Sequence, residues 1–342
     1  MPPPPRTGGG GGPSAQSWGA WLDRNRFYVM AVIGILLVGY GMSTRGGGGG
    51  GGGAARPVSL PASDEPPKPV PGAKHPSALK PHPATSKVHA VNEPREDDKW
   101  IGLHNKYAYE VQAKAKAPGA ISTVFYGDSI FEAFRGSKLG IAADAFAGGP
   151  AVWAKHFKAH ALDLAIAGDT ASNLLWRIRN GESPAPLGPA VKAVVINVGT
   201  NDIKKMAVEG DAADLADGVA NGKSLGAAIA AIVETLREEA PGAHAVVMAV
   251  LPRGDTTKGG DAAWAQPSVY TPSIDHTNAA LKAYAASHAE SVTFVDCGSA
   301  VLDKAGGRLS KEALPDTTHP SAAALEAIAA SCLKPALDKV VG

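Results

Sequence analysis

Beyond residue 120 the chain is punctuated by five short apolar runs: ISTVFYG (121–127), LDLAIAG (162–168), KAVVINVG (192–199), AHAVVMAVL (243–251) and SVTFVDC (291–297). Most are continuous rather than alternating, the pattern of strands covered on both faces of a parallel sheet. Helical patterns separate them. SNLLWRIRNG has Ser172 or Asn173 as a start and Gly181 as a stop. GKSLGAAIAAIVETLREEAPG carries Leu225, Ile229, Ile232, Val233 and Leu236 at helical spacing and ends at Pro241-Gly242. SIDHTNAALKAYAASH and SAAALEAIAASCLKPALDKV continue the alternation. Strands alternating with helices predict an α/β fold: a three-layer sandwich around a five-stranded, mostly parallel, flavodoxin-like sheet.

This patterning is missing from the first quarter of the chain. Residues 1–26 and 45–98 are dominated by Gly, Pro and small polar residues. Such segments bury too little apolar area to offset their ordering entropy, so a disordered tail (1–26) and a disordered Gly/Pro-rich stem (45–98) are expected. Between them, residues 27–44 are uncharged and apolar and follow Arg24 and Arg26. Their length and flanking charge predict a transmembrane signal anchor with the N-terminus cytosolic. A cleaved signal peptide is the competing reading. Residues 99–342 then form one domain on the lumenal or outer side, and removing everything before residue 96 should leave it soluble and active.

Charge and cysteine usage narrow the function. With 33 basic and 32 acidic residues the net charge is +1. No basic cluster interleaves with aromatics, which argues against a nucleic-acid partner. Cys297 and Cys332 could form one bridge in an oxidising lumen or remain buried thiols, and with no CxxC pair zinc is not indicated. His156 and His160 stand four apart in KHFKAH. With no third ligand at suitable spacing they are expected to mark a solvated helix face rather than a metal pair. No metal or cofactor is expected.

In an open α/β sheet, ligands bind beyond the carboxyl ends of the strands. Ser129 follows the first run, Gly168-Asp169-Thr170 the second and Gly199-Thr200-Asn201-Asp202 the third. Asp316-Thr317-Thr318-His319-Pro320 falls in the last loop before the final helix. Each has a plain structural reading. Ser129 to Glu132 forms a capping box with Ser129 at the N-cap. Gly168 and Asn201 suit turns, and Asp316-x-x-His319 suits a polar loop ahead of a helix capped by Ser321. Together they can do more. His319 can take the proton of a serine hydroxyl, and Asp316, three residues earlier, can hold its imidazole. The Ser129 and Gly168 N–H groups and the Asn201 amide can face an oxyanion.

GDS, AGDT, GTND and DTTHP occur in the order and spacing of the four sequence blocks of the SGNH (GDSL-like) hydrolases, which this chain resembles. IAGDTASNLLWRIRNGE, VVINVGTND and VLPRGD are similar to the branch holding the platelet-activating factor acetylhydrolase catalytic subunits. The resemblance covers roughly residues 120–338. It implies Ser129 as nucleophile, Asp316 and His319 as the rest of a triad, Gly168 and Asn201 completing the oxyanion hole, and Asp128 and Asp202 bracing the turns. The implied activity is a serine esterase acting on small acyl esters of a lipid or glycan, acetyl esters among them, with no cofactor. A glycan O-acyltransferase of the secretory pathway and a non-catalytic stalked binding protein are the alternatives. No Gly-x-Ser-x-Gly elbow is present. Residues 136–160 receive no assignment, and the sequence sets no oligomeric state.

Overall fold

The computed structural model describes residues 93–341, apart from 118, 210–217 and 306. The tail, the apolar segment 27–44 and the stem up to residue 92 lie outside the described residues. Among the described residues no helix is long and apolar enough to cross a membrane. In chain order run α1 (Asp98–Ala115), β1 (Thr123–Gly127), α2 (Ser129–Glu132), the two-residue strands β2 (Ser137–Lys138) and β3 (Ile141–Ala142), α3 (Gly149–His156), β4 (Ala161–Asp163) and α4 (Ala171–Arg177). They are followed by β5 (Ala193–Asn197), α5 (Thr200–Glu209), α6 (Gly218–Glu239), β6 (His244–Met248), α7 (Thr271–Ser287), β7 (Val292–Val295), α8 (Ala322–Ile328) and α9 (Lys334–Val341).

The five strands foreseen from the apolar runs form one sheet in the order β4-β1-β5-β6-β7, each pair parallel. The chain leaves β1 towards one edge of the sheet and β5 towards the other, so the topological switch point lies between the carboxyl ends of β1 and β5. The continuity of the apolar runs follows from burial on both faces. Val124, Tyr126, Val194, Ile196, Ala245 and Val247 join a core with α1, α4, α6 and α7. The alternate residues Phe125, Val195, Val246 and Met248 join a second core with α2, α3, α8 and α9.

Two differences from the sequence expectation bear on the site. The strand expected over 162–168 ends at Asp163, because the Asp163 carboxylate accepts from Ala165 N–H (3.0 Å) and bends the chain out of the ladder. Two bonds, Leu164 N to Phe125 O (2.8 Å) and Ile166 N to Gly127 O (3.1 Å), still carry it alongside β1. Residues 93–98, assigned to the disordered stem on composition, instead pack on the domain. The Asn173 side chain donates to Glu93 O (3.0 Å), Arg95 donates to Ala167 O (2.8 Å), and Asp97 caps α1 by accepting from Lys99 N–H (2.9 Å). A cut before residue 96 would sever the first two of these, so the boundary for a truncation belongs before Glu93. In α1, Trp100, Leu103, His104, Tyr107 and Val111 are all buried, at an i, i+3, i+4, i+7 spacing that presents one apolar face to the core.

Cys297 and Cys332 form a disulfide, with Cα atoms 5.7 Å apart. It ties the chain just after β7 to the π-helical segment Ala329–Leu333 that joins α8 to α9, and the loop it closes holds both Asp316 and His319. By chain entropy a loop of this length contributes on the order of 4 kcal/mol.

Candidate active site

Ser129 is the first residue of α2, not its cap. The strand-to-helix turn needs Gly127, where a Cβ would lie 2.4 Å from Asn197 O on the neighbouring strand. Asp128 follows in extended geometry and is the N-cap, its Oδ1 accepting from Ile130 N–H at 3.0 Å. The expected capping box therefore does not form. The Ser129 hydroxyl is instead hydrogen-bonded to His319 Nε2 at 2.9 Å. Glu132, its supposed partner, turns away into the interior. The aspartate wins the cap because its carboxylate is one residue closer to the end of β1 and releases the serine side chain into the crevice.

His319 and Asp316 meet as their spacing suggested. Asp316 Oδ2 lies 2.6 Å from His319 Nδ1, and Oδ1 accepts from the backbone N–H groups of Thr318 (3.0 Å) and His319 (2.7 Å). Burial pushes the Asp316 carboxyl up, but the hydrogen bonds from the His319 ring and backbone outweigh it and hold it at about 2. The side chain is 58% exposed, so water screens its field at the imidazole. On the other side Phe146 packs edge-on against the imidazole, ring centroids 5.4 Å apart. Phe146 belongs to the unassigned stretch 136–160, in the short turn Asp144–Phe146 that precedes α3.

Gly168 and Asn201 stand at the ends of the neighbouring strand paths. Gly168 has φ +86°, a left-handed conformation that favours glycine. Its N–H has no hydrogen-bond acceptor among the described residues. Asn201 Nδ2 donates to Asp169 O at 2.9 Å and lies 3.5 Å from Asp128 Oδ2. One N–H thus anchors the amide, and the second is held only loosely.

A family profile described as GDSL-like lipase/acylhydrolase matches residues 125–327, more than half of the 342-residue chain. The chain belongs to that family. Platelet-activating factor acetylhydrolase IB subunit alpha2 of Homo sapiens is 31% identical over 168 residues, covering 49% of this chain and 58% of the relative. Subunit alpha1 of Homo sapiens is 31% identical over 170 residues, with the same coverage of 49% and 58%. The chain therefore spans less than two thirds of the length of these curated relatives. In fold it resembles a crystal structure from Bacteroides fragilis assigned as an acylhydrolase, with a TM-score of 0.50 at 21% identity over 72% of this chain and 100% of that one.

Around this GDSL-like constellation lie residues to which the sequence reading gave no role. Arg253, after β6, donates through Nη1 to Thr200 O (2.8 Å) and Oγ1 (3.0 Å) and through Nη2 to Thr318 Oγ1 (3.3 Å). It thus ties the Asn201 turn to the His319 loop, and it stacks over Tyr270, 4.6 Å from the ring centroid. In that loop Thr317 has φ +69°, costly for a β-branched residue. Gly254 N–H holds its carbonyl at 2.8 Å. Beneath the Gly168 turn, Asp169 accepts from Trp100 Nε1 (2.6 Å) and from Arg177 Nε (2.7 Å), and Arg177 also pairs with Glu182. VLPRGD and WRIRNGE carried Arg253 and Arg177 in plain view, but nothing local says that either is buried under a site.

Three carboxylates crowd this floor. Burial, opposed by the Ile130 N–H and reinforced by Asp169 and Asp202, pushes Asp128 up to about 7. Burial likewise raises Asp202 to about 7 against the hydrogen bond from Ala171 N–H, and Asp169 to about 6 against Arg177. An acid that titrates near 7 folded and near 4 unfolded binds more protons folded across that range, so its contribution to stability falls as pH rises through it. Asn keeps the cap and does not ionise. Asp128→Asn should therefore gain stability relative to wild type as urea unfolding is moved from pH 4 to pH 8. A difference that stays flat across that range would show that the carboxyl titrates alike in both states.

The two histidines considered as a metal pair are engaged separately. His156 Nε2 lies 2.9 Å from Glu326 Oε1 and His160 Nδ1 lies 3.4 Å from Ala120 O. His156 ends α3 and His160 follows in the turn before β4, so they do not share a helix face. Both line a concavity of about 280 Å³ at the opposite, N-terminal end of β1 and β4. Among the described residues no group of three or more His, Cys, Asp or Glu side chains could hold a metal ion.

Proposed function

We propose that the chain is a serine esterase that cleaves small acyl esters. The reading rests on one observation: Ser129 Oγ, His319 and Asp316 form a continuous hydrogen-bonded chain, 2.9 Å and 2.6 Å long in its two links, at the switch point of the sheet. Ser129 Oγ attacks the ester carbonyl carbon while His319 Nε2 takes its proton, and Asp316 stabilises the imidazolium. The oxyanion that forms is met by the Ser129 and Gly168 N–H groups and the loosely held N–H of Asn201. His319 then passes the proton to the departing alcohol oxygen as the ester C–O bond breaks. Water, deprotonated by the same imidazole, releases the acid. Asp128 and Asp202 hold the α2 and α4 turns through Ile130 and Ala171 N–H.

The names of the acetylhydrolase relatives favour acetyl esters. A fluorophosphonate probe with mass analysis, followed by a panel of nitrophenyl esters of increasing acyl length, tests the proposal. Labelling at Ser129 with activity falling as the acyl chain lengthens is expected. Absence of both labelling and hydrolysis overturns it, and acyl transfer to an added sugar in preference to water would make the chain a transferase. We further propose that residues 27–44 anchor the protein with its catalytic domain in an oxidising compartment. The disulfide supports that compartment, and the apolar composition of 27–44 supports the anchor. In sealed microsomes the domain should resist protease until detergent is added. A soluble product beginning after Met42 would mean a cleaved signal peptide instead.

A further inference from the structure

We propose that Arg95 is a positioning residue of the oxyanion site, acting through the Ala167–Gly168 peptide. The inference rests on the esterase reading above and deepens it.

Arg95 lies in the polar stretch Glu93–Asp97, which composition alone groups with the stem. Its guanidinium crosses 72 residues of sequence to the end of the β4 path, where Nη1 donates to Ala167 O at 2.8 Å. Nη1 is also 3.8 Å from Asp169 Oδ1, and Nη2 is 3.2 Å from Asp97 Oδ2. The Ala167 carbonyl and the Gly168 N–H are opposite ends of one planar trans peptide unit. Whatever fixes the direction of that C=O therefore fixes the direction of the N–H proposed to meet the oxyanion. A charged donor on the oxygen also draws density through the amide and strengthens its N–H as a donor.

The other side of Ala167 is held equally firmly. Its own N–H donates to Glu132 Oε2 at 2.6 Å. Glu132 is fully buried and accepts as well from Ser137 Oγ (2.8 Å), Leu139 N–H (3.0 Å) and Gly140 N–H (2.8 Å). Ala167 is thus clamped between a carboxylate and a guanidinium. Gly168 completes the fit: a Cβ there would stand 2.9 Å from Arg95 Nη1, so the guanidinium lies directly on the glycine. A surface ion pair with Asp97 alone would contribute little and leave catalysis untouched. Binding of an anionic substrate by Arg95 would require a free guanidinium, whereas this one faces a carbonyl and two carboxylates.

The test uses the full-length chain and a nitrophenyl acetate assay. Arg95→Ala should lower kcat by about tenfold, the scale of one charged hydrogen bond, and change KM by less than about twofold. Arg95→Lys should recover part of the loss. Guanidinium chloride, well below denaturing concentration, should raise the activity of Arg95→Ala and leave Ser129→Ala inactive. An unchanged kcat in Arg95→Ala overturns the proposal, as does a loss that neither lysine nor guanidinium relieves. If wild type hydrolyses no ester, the esterase reading itself fails and this inference goes with it. A normal wild type with an unaffected Arg95→Ala removes only the inference.

Discussion

Ser129→Ala is expected to lower kcat on the order of 10⁶-fold and to abolish fluorophosphonate labelling, because triad members act as a unit and losing one costs nearly the whole relay. The structure also makes a sharper statement about folding. Were Ser129 the N-cap of α2, its replacement would cost about 1 kcal/mol of stability. Asp128 is the cap, Ser129 sits at the first helical position, and its hydroxyl bonds to His319. Alanine is well tolerated there. Activity should therefore disappear with Tm essentially unchanged. Turnover near wild type would remove Ser129 from the reaction. Lost turnover with a large fall in Tm would restore its capping role.

Asn201→Ala should lower kcat by roughly 10²–10³, the usual worth of one oxyanion donor, with little change in KM. The amide has one N–H committed to Asp169 O at 2.9 Å and a second only 3.5 Å from Asp128 Oδ2. The loosely held N–H can turn to a charged oxygen at little cost, and it gains most when that oxygen carries full charge in the transition state. A tetrahedral boronate inhibitor should lose affinity in parallel with kcat. An effect confined to KM would place Asn201 in ground-state binding. An unchanged kcat would leave it only the turn contact with Asp169.

Much of the frame is legible before folding, for local reasons. Runs such as KAVVINVG must be covered on two faces, and helical spacing between them admits few architectures. The motif Asp316-x-x-His319 is legible too, because three residues of spacing bring the two side chains together within one turn. What fails is what depends on distant chain. SIFE satisfies the capping-box pattern, yet Asp128 stands one residue nearer the strand and takes the cap. LDLAIAG is apolar throughout, yet Asp163 bends it out of the ladder after three residues. EPRED is polar and follows a proline-rich tract, and nothing near it reveals that Arg95 will find Ala167. Residues 27–44 lie outside the described residues, and their role as an anchor rests on composition alone.

By itself the sequence determined the period of each element, the parallel sheet, and the chemistry available at the strand ends. Periodicity and residue type are properties of a few neighbouring positions, and burial on both faces enforces them. The tertiary structure alone decided which polar groups meet. Arg253 joins two loops through Thr200 and Thr318, Glu132 holds Ala167 from within the core, and Arg95 holds it from outside. Those contacts are set by the strand order β4-β1-β5-β6-β7, which brings loops far apart in the chain to one edge. A buried charge can be kept only where that edge supplies its partners.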